Sequence, residues 1–131
     1  MKSSIILASL AAIVFSVSAQ AAEPDVEKGE KVFRKCKACH EVNKEKNKVG
    51  PHLINLIGRK AGALEGYKFS KAMVAKGADD GLVWTEEVLL EYLIKPKDYV
   101  KGTKMAFAGL KKEEDRVNLV AYLKTFSKAD Q

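Results

Sequence analysis

The sequence is poor in the residues with which small proteins brace themselves covalently. It holds only two cysteines, two histidines and three prolines in 131 residues. Cys36 and Cys39 are three apart, so a bridge between them would close too small a loop to stabilise a fold, and a disulfide scaffold is excluded. Long apolar runs are equally scarce. One stretch, Ile5 to Val17, stands out, and it is shorter than the roughly 20 residues a spanning helix needs. Lys2 precedes it and Ala19-Gln20-Ala21 follows, the pattern of a secretory signal peptide with a small-residue cleavage site. The sequence therefore predicts residues 1–21 as a leader and 22–131 as one exported, periplasmic domain with no membrane span after processing. Strand-like alternation is also missing, so the expected fold class is all-α.

What the chain does have is charge. Lysine and arginine number 23 against 17 acidic residues, a formal net charge of +6 that loss of Lys2 with the leader lowers to +5. Such an excess attracts acidic surfaces. Nucleic acid is excluded as the target: the basic residues are spread along the chain, no recognition motif accompanies them, and export removes the ligand. About 110 residues make one domain, but a hydrophobic core of that size is marginal and something else must help to hold it.

Helix signals recur through the mature chain. Asp25 caps a stretch to about Lys37, with Val26, Val32, Phe33 and Cys36 at helical spacing and Gly29 on the same face. A glycine there is costly unless something packs close against it. A long Gly- and Lys-rich loop follows, of a length that suits wrapping a cofactor. Ser70 caps a short helix to Lys76 with a stop at Gly77, and Thr85 caps a clearer one to about Lys95. Pro96 to Tyr99 can turn once more. A last helix is expected from Lys112 to Ser127, with Glu113, Glu114 and Asp115 at its positive end and Leu119, Tyr122, Leu123 and Phe126 as its apolar stripe.

The chemistry concentrates in CKACH, residues 36–40. A thioredoxin-like dithiol needs a βαβ setting that the pattern does not supply. Zinc needs four ligands, and beyond this motif only His52 remains, in a loop where it reads as readily as a solvated side chain. The third chemistry is covalent haem attachment: each thiol adds to a porphyrin vinyl group and the adjacent His40 sits under the iron. Export matches that chemistry, and a bound haem would supply the missing core. The sixth position of such an iron decides between electron transfer and ligand chemistry. Of the two methionines after the leader, Met73 sits in the apolar pattern of a short helix and reads as core. Met105 lies in a loop between Gly102 and Gly109, where reaching across the haem explains it better than packing does.

CKACH, GPHLINLIGRKAG, Trp84 with TEEVLLEYL, KPKDYVKGTKMAFAG and RVNLVAYLK together resemble class I cytochrome c, the family of the mitochondrial protein and the bacterial cytochromes c2. The resemblance covers nearly all of residues 22–131, in the family's order. It implies a small fold of helices and loops wrapped around one haem c, held by thioethers to Cys36 and Cys39, with His40 as proximal and Met105 as distal ligand. It further implies that the Pro51 carbonyl orients His40, that Arg59 and Trp84 lie near a buried propionate, that Tyr92 bonds the methionine sulfur, and that Thr103 belongs to the polar shell. Gly29 and Phe33 match a helix face crossing the last helix at Leu119 and Tyr122.

Three departures stand against the family pattern. Phe69 replaces a tyrosine, Lys101 replaces a proline before GTKM, and VAKGADDGLVW is a few residues longer than its mitochondrial counterpart. The expected function is a monomeric shuttle of single electrons and not an enzyme. A bc1-type complex would serve as donor and a terminal oxidase or photosynthetic reaction centre as acceptor. Acidic partner surfaces would meet lysines 35, 37, 97, 104, 111 and 112 around the haem edge. The alternative is a peroxidase or gas sensor with a displaceable sixth ligand, for which Lys101 is the hint.

Overall fold

A computed structural model describes residues 12–16 and 23–128. The predicted leader falls mostly outside these residues; its described stretch, 12–16, has no regular structure and leaves Ile13, Val14 and Phe15 exposed. Five helices follow: α1 (Val26–Phe33), α2 (Lys71–Ala78), α3 (Glu86–Tyr92), α4 (Pro96–Tyr99) and α5 (Glu113–Lys124). Among the described residues, strand pairing is limited to one antiparallel bridge between Lys60 and Val83.

Three of the starts are fixed by side-chain caps that satisfy otherwise unpaired amides. Asp25 Oδ1 accepts Lys28 N–H at 3.0 Å, Ser70 Oγ accepts Met73 N–H at 3.1 Å, and Thr85 Oγ1 accepts Val88 N–H at 3.1 Å. The far ends differ from expectation, each for a physical reason. α1 stops at Phe33 because Arg34, Lys35 and Cys36 bond three residues back, to Lys31, Val32 and Phe33, tightening the chain as it enters CKACH. α2 runs through Gly77 to Ala78: the glycine is buried, and a Cβ there would lie 1.8 Å from Ala61 O, so it serves close packing and not a stop. α3 ends at Tyr92 because Lys95 precedes Pro96 and lies outside the helical region, after which the proline opens α4.

The largest contact between elements is that of α1 with α5. Gly29 makes it possible, since a Cβ would fall 2.0 Å from Asn118 O. Beside it, buried Asn118 accepts the Asp25 N–H at 2.8 Å, and the Phe33 and Tyr122 rings meet at 5.4 Å. The segment after α5 is stitched to the 55–57 turn: Asn55 N–H donates to Phe126 O, Lys128 N–H to Asn55 Oδ1 and Ile57 N–H to Ser127 Oγ. No helix among the described residues is long and apolar enough to cross a membrane.

Candidate haem site

The helices do not close on themselves. They and the long loops enclose a cavity of about 670 Å³, mostly apolar, walled by residues such as Leu56, Met73, Leu89 and Leu123. Cys36, Cys39, His40, Pro51, Arg59, Trp84, Tyr92, Thr103 and Met105, all predicted as site residues, line this one space.

His40 is held from two sides. Its Nδ1 is 2.7 Å from Pro51 O, and because a carbonyl only accepts, Nδ1 carries the proton and Nε2 is left free to bind. Gly50 lies flat against the ring; a Cβ there would be 2.4 Å from His40 Cε1. Burial pushes the imidazole below its ordinary pKa, the Pro51 bond opposes this, and the fields of Lys48 and Arg59 add to the fall. A neutral imidazole is the form that coordinates iron. The two thiols are unpaired and half-buried, and burial raises that of Cys36 to about 11.

Met105 lines the same cavity on a loop with Gly102 at φ 93°. The Tyr92 hydroxyl lies 3.8 Å from Met105 Sδ, within reach of a weak bond to sulfur, and Met105 N–H donates to Thr103 Oγ1 at 3.3 Å. Burial pushes the Tyr92 phenol up to about 12, opposed by a hydrogen bond with Thr103. Trp84 is buried against Tyr92, ring centroids 4.8 Å apart. It is placed by the bridge region, where Trp84 N–H donates to Arg59 O and Gly58 N–H to Trp84 O, both at 2.9 Å.

The residues fit a haem on two observations beyond its volume. Arg59 is a half-buried cation whose Nη1 and Nη2 donate to the carbonyls of His52 and Ile54, at 2.9 and 2.5 Å. Carbonyls bring no negative charge, so a propionate in the cavity would balance it. The donor set is soft sulfur and imidazole, suited to haem iron. Phe69 also lines the cavity, packed edge-on to Tyr67 at 4.8 Å, and offers no hydrogen bond where a tyrosine would. His52 is buried at 8% exposure and not solvated as its loop position implied, and no group of three or more metal-binding side chains forms among the described residues.

Tyr67 was not singled out by the sequence, and Lys104 was expected only as a docking lysine at the haem edge. Tyr67 O–H donates to Val49 O at 2.7 Å, and Lys104 Nζ, 5.6 Å from the Tyr67 ring centroid, donates to Lys68 O; together they tie the loops on either side of the cavity. Gly50 was legible only as a neighbour of Pro51, and the partners of Tyr67 are set by the fold.

A helical domain folded around a cavity that gathers CKACH, a loop methionine and a half-buried arginine defines a class I c-type cytochrome. The family model for cytochrome c matches residues 26–127. Cytochrome c2 of Afifella marina is 57% identical over 99 residues, which span 75% of this chain and 79% of that protein. Cytochrome c-550 of Nitrobacter winogradskyi is 51% identical over 105 residues, 79% and 93% of the two chains. Among solved structures, cytochrome cH from Methylobacterium extorquens superposes with a TM-score of 0.70 at 43% identity, covering 77% of this chain and 98% of that one. The chain belongs to the cytochrome c family. It carries one covalently attached haem c and serves in electron transfer, not as an enzyme.

Proposed function

We propose that this cytochrome shuttles single electrons in the periplasm between a bc1-type donor and a terminal oxidase or reaction centre, and that His40 and Met105 would hold the haem iron. Cys36 and Cys39 hold the haem by thioethers, and Pro51, Arg59, Trp84, Tyr92 and Thr103 orient and enclose it. The observation that carries this reading is the convergence of His40 and Met105 on one cavity, each already held by a neighbour, Pro51 O at 2.7 Å and the Tyr92 hydroxyl at 3.8 Å. When bound, the haem supplies one-electron exchange between ferric and ferrous iron, and methionine ligation raises its potential. The chain's own work is to keep the ligands still and the water out. The Pro51 carbonyl fixes the ring and tautomer of His40, Tyr92 and Thr103 hold the methionine loop, and Arg59 balances an acidic group inside an apolar wall.

Export rests on residues 1–21 as a cleaved leader, supported by the apolar Ile13, Val14 and Phe15, which the domain does not cover. Exposed Lys35, Lys37, Lys97, Lys104, Lys111 and Lys112 would steer the protein as a monomer onto acidic partners through a small, quickly released contact.

The test is the far-red absorption of the oxidised holoprotein, purified with its mature N-terminus read by mass. A weak methionine-to-ferric band is expected, and Met105→Ala should abolish it. Lys101 is exposed beside Gly102 and leaves the loop without its usual proline, which favours the rival reading of a displaceable ligand. On that reading the band is absent and ferrous protein binds carbon monoxide readily at neutral pH.

A further inference from the structure

Lys48 differs from the lysines exposed around the cavity. Its side chain is 28% exposed and that of its partner Glu41 29%. Lys48 Nζ donates to Glu41 Oε1 at 3.1 Å and to Lys37 O at 2.7 Å. Both partners flank His40, since Lys37 lies within CKACH and Glu41 follows His40 directly.

The backbone of the same loop closes around the imidazole. Lys48 N–H donates to Gly50 O, Gly50 N–H to Cys39 O and Leu53 N–H to Glu41 O, all within 2.9 Å. Gly50 itself leaves no room for a Cβ beside the ring. The ammonium of Lys48 is thus fixed in a loop wrapped around His40.

We propose that Lys48 and Glu41 form an internal charged pair that tunes the reduction potential from the His40 side, Lys48 raising it and Glu41 lowering it. Lys48 is then a positioning and tuning residue. This rests on His40 being the proximal ligand. A fixed positive charge near the iron favours the state holding one more electron, and a negative charge opposes it. An exposed lysine would lose most of this influence to salt, whereas a half-buried pair, anchored also to a backbone carbonyl, is screened much less.

The experiment is the reduction potential of the holoprotein at low and high salt, with haem loading confirmed by its absorption spectrum. Lys48→Met should lower the potential and Glu41→Gln should raise it, with both shifts persisting in high salt. Lys48→Arg and Glu41→Asp, which keep the charges, should stay close to the unmodified protein. Shifts of the same sign in Lys48→Met and Glu41→Gln would mean that the pair acts only by packing, and would overturn the proposal, as would no shift in either. If Lys48→Met fails to load haem, the sign of the Glu41→Gln shift decides: a rise supports the pair, any other result removes it. The far-red band reports methionine ligation separately, so failure of that reading is distinguishable from failure of this one.

Discussion

Burial keeps the Tyr92 phenol protonated, and that has a consequence for stability at high pH. In the unfolded chain the group ionises near 10.0; in the folded protein it does so at about 12. Between those values the folded state holds a proton that the unfolded state has lost. Its contribution to stability is therefore complete below about pH 10 and is lost as pH rises towards 12. The displacement corresponds to roughly 2 to 3 kcal/mol between the two protonation states. Denaturant titrations of the holoprotein from neutral to strongly alkaline pH should show this loss, and Tyr92→Phe should show a smaller one over the same window. Equal slopes for the two proteins would mean that the phenol is not the group responsible. Tyr92 was legible in the sequence through its place in TEEVLLEYL. Its partner Thr103 came from a separate motif, and only the fold shows that Thr103 bonds the phenol and the Met105 amide together.

At the scale of the helices, α1 and α5 depend on one residue that is unfavourable by itself. Replacing Gly29 with alanine would gain up to about 1 kcal/mol of intrinsic helix propensity. Against this stands a Cβ only 2.0 Å from the Asn118 carbonyl, a backbone atom that cannot swing aside. Overpacking costs about 1 to 3 kcal/mol in typical cores, and here it must push one whole helix away from the other. Gly29→Ala is expected to lower the denaturation midpoint despite its better propensity; a rise would mean that the crossing is looser than the geometry implies. The sequence was most readable where structure is local. Asp25, Ser70 and Thr85 announce helix starts because a cap needs only its own next three residues. The ends were harder, since Gly77 looks like a stop until Ala61 is brought against it. Asn118 was invisible for the same reason: nothing in RVNLVAYLK says that its amide will meet the start of α1, 93 residues away.

For the whole molecule, the cavity sets the terms. A mostly apolar cavity of about 670 Å³ leaves its lining exposed to water unless a cofactor fills it. Domains of this size are stable by about 5 to 15 kcal/mol in total. The polypeptide without its haem should therefore not hold this fold. Cys36→Ala/Cys39→Ala, prepared without haem, is expected to show little helical circular dichroism and no cooperative melting, in contrast to the holoprotein. A cooperative melt would show that the walls collapse onto one another far better than the packing indicates. The need for a cofactor could be read from chain length and CKACH together, because a chain of this length builds only a marginal core of its own. What the sequence hid is the electrostatics around His40. Lys48 and Glu41 look like two more solvated charges until the loop closes on the imidazole.

The pairing of α1 with α5 also orders events in time. The Asp25 amide finds its acceptor 93 residues further on, and Phe126, Ser127 and Lys128, which follow α5, fasten the 55–57 turn. The chain cannot make these contacts until α5 and the residues after it are present. Until then the crossing of α1 with α5, the largest contact between helices, is missing, and CKACH lies on a chain that has not yet closed.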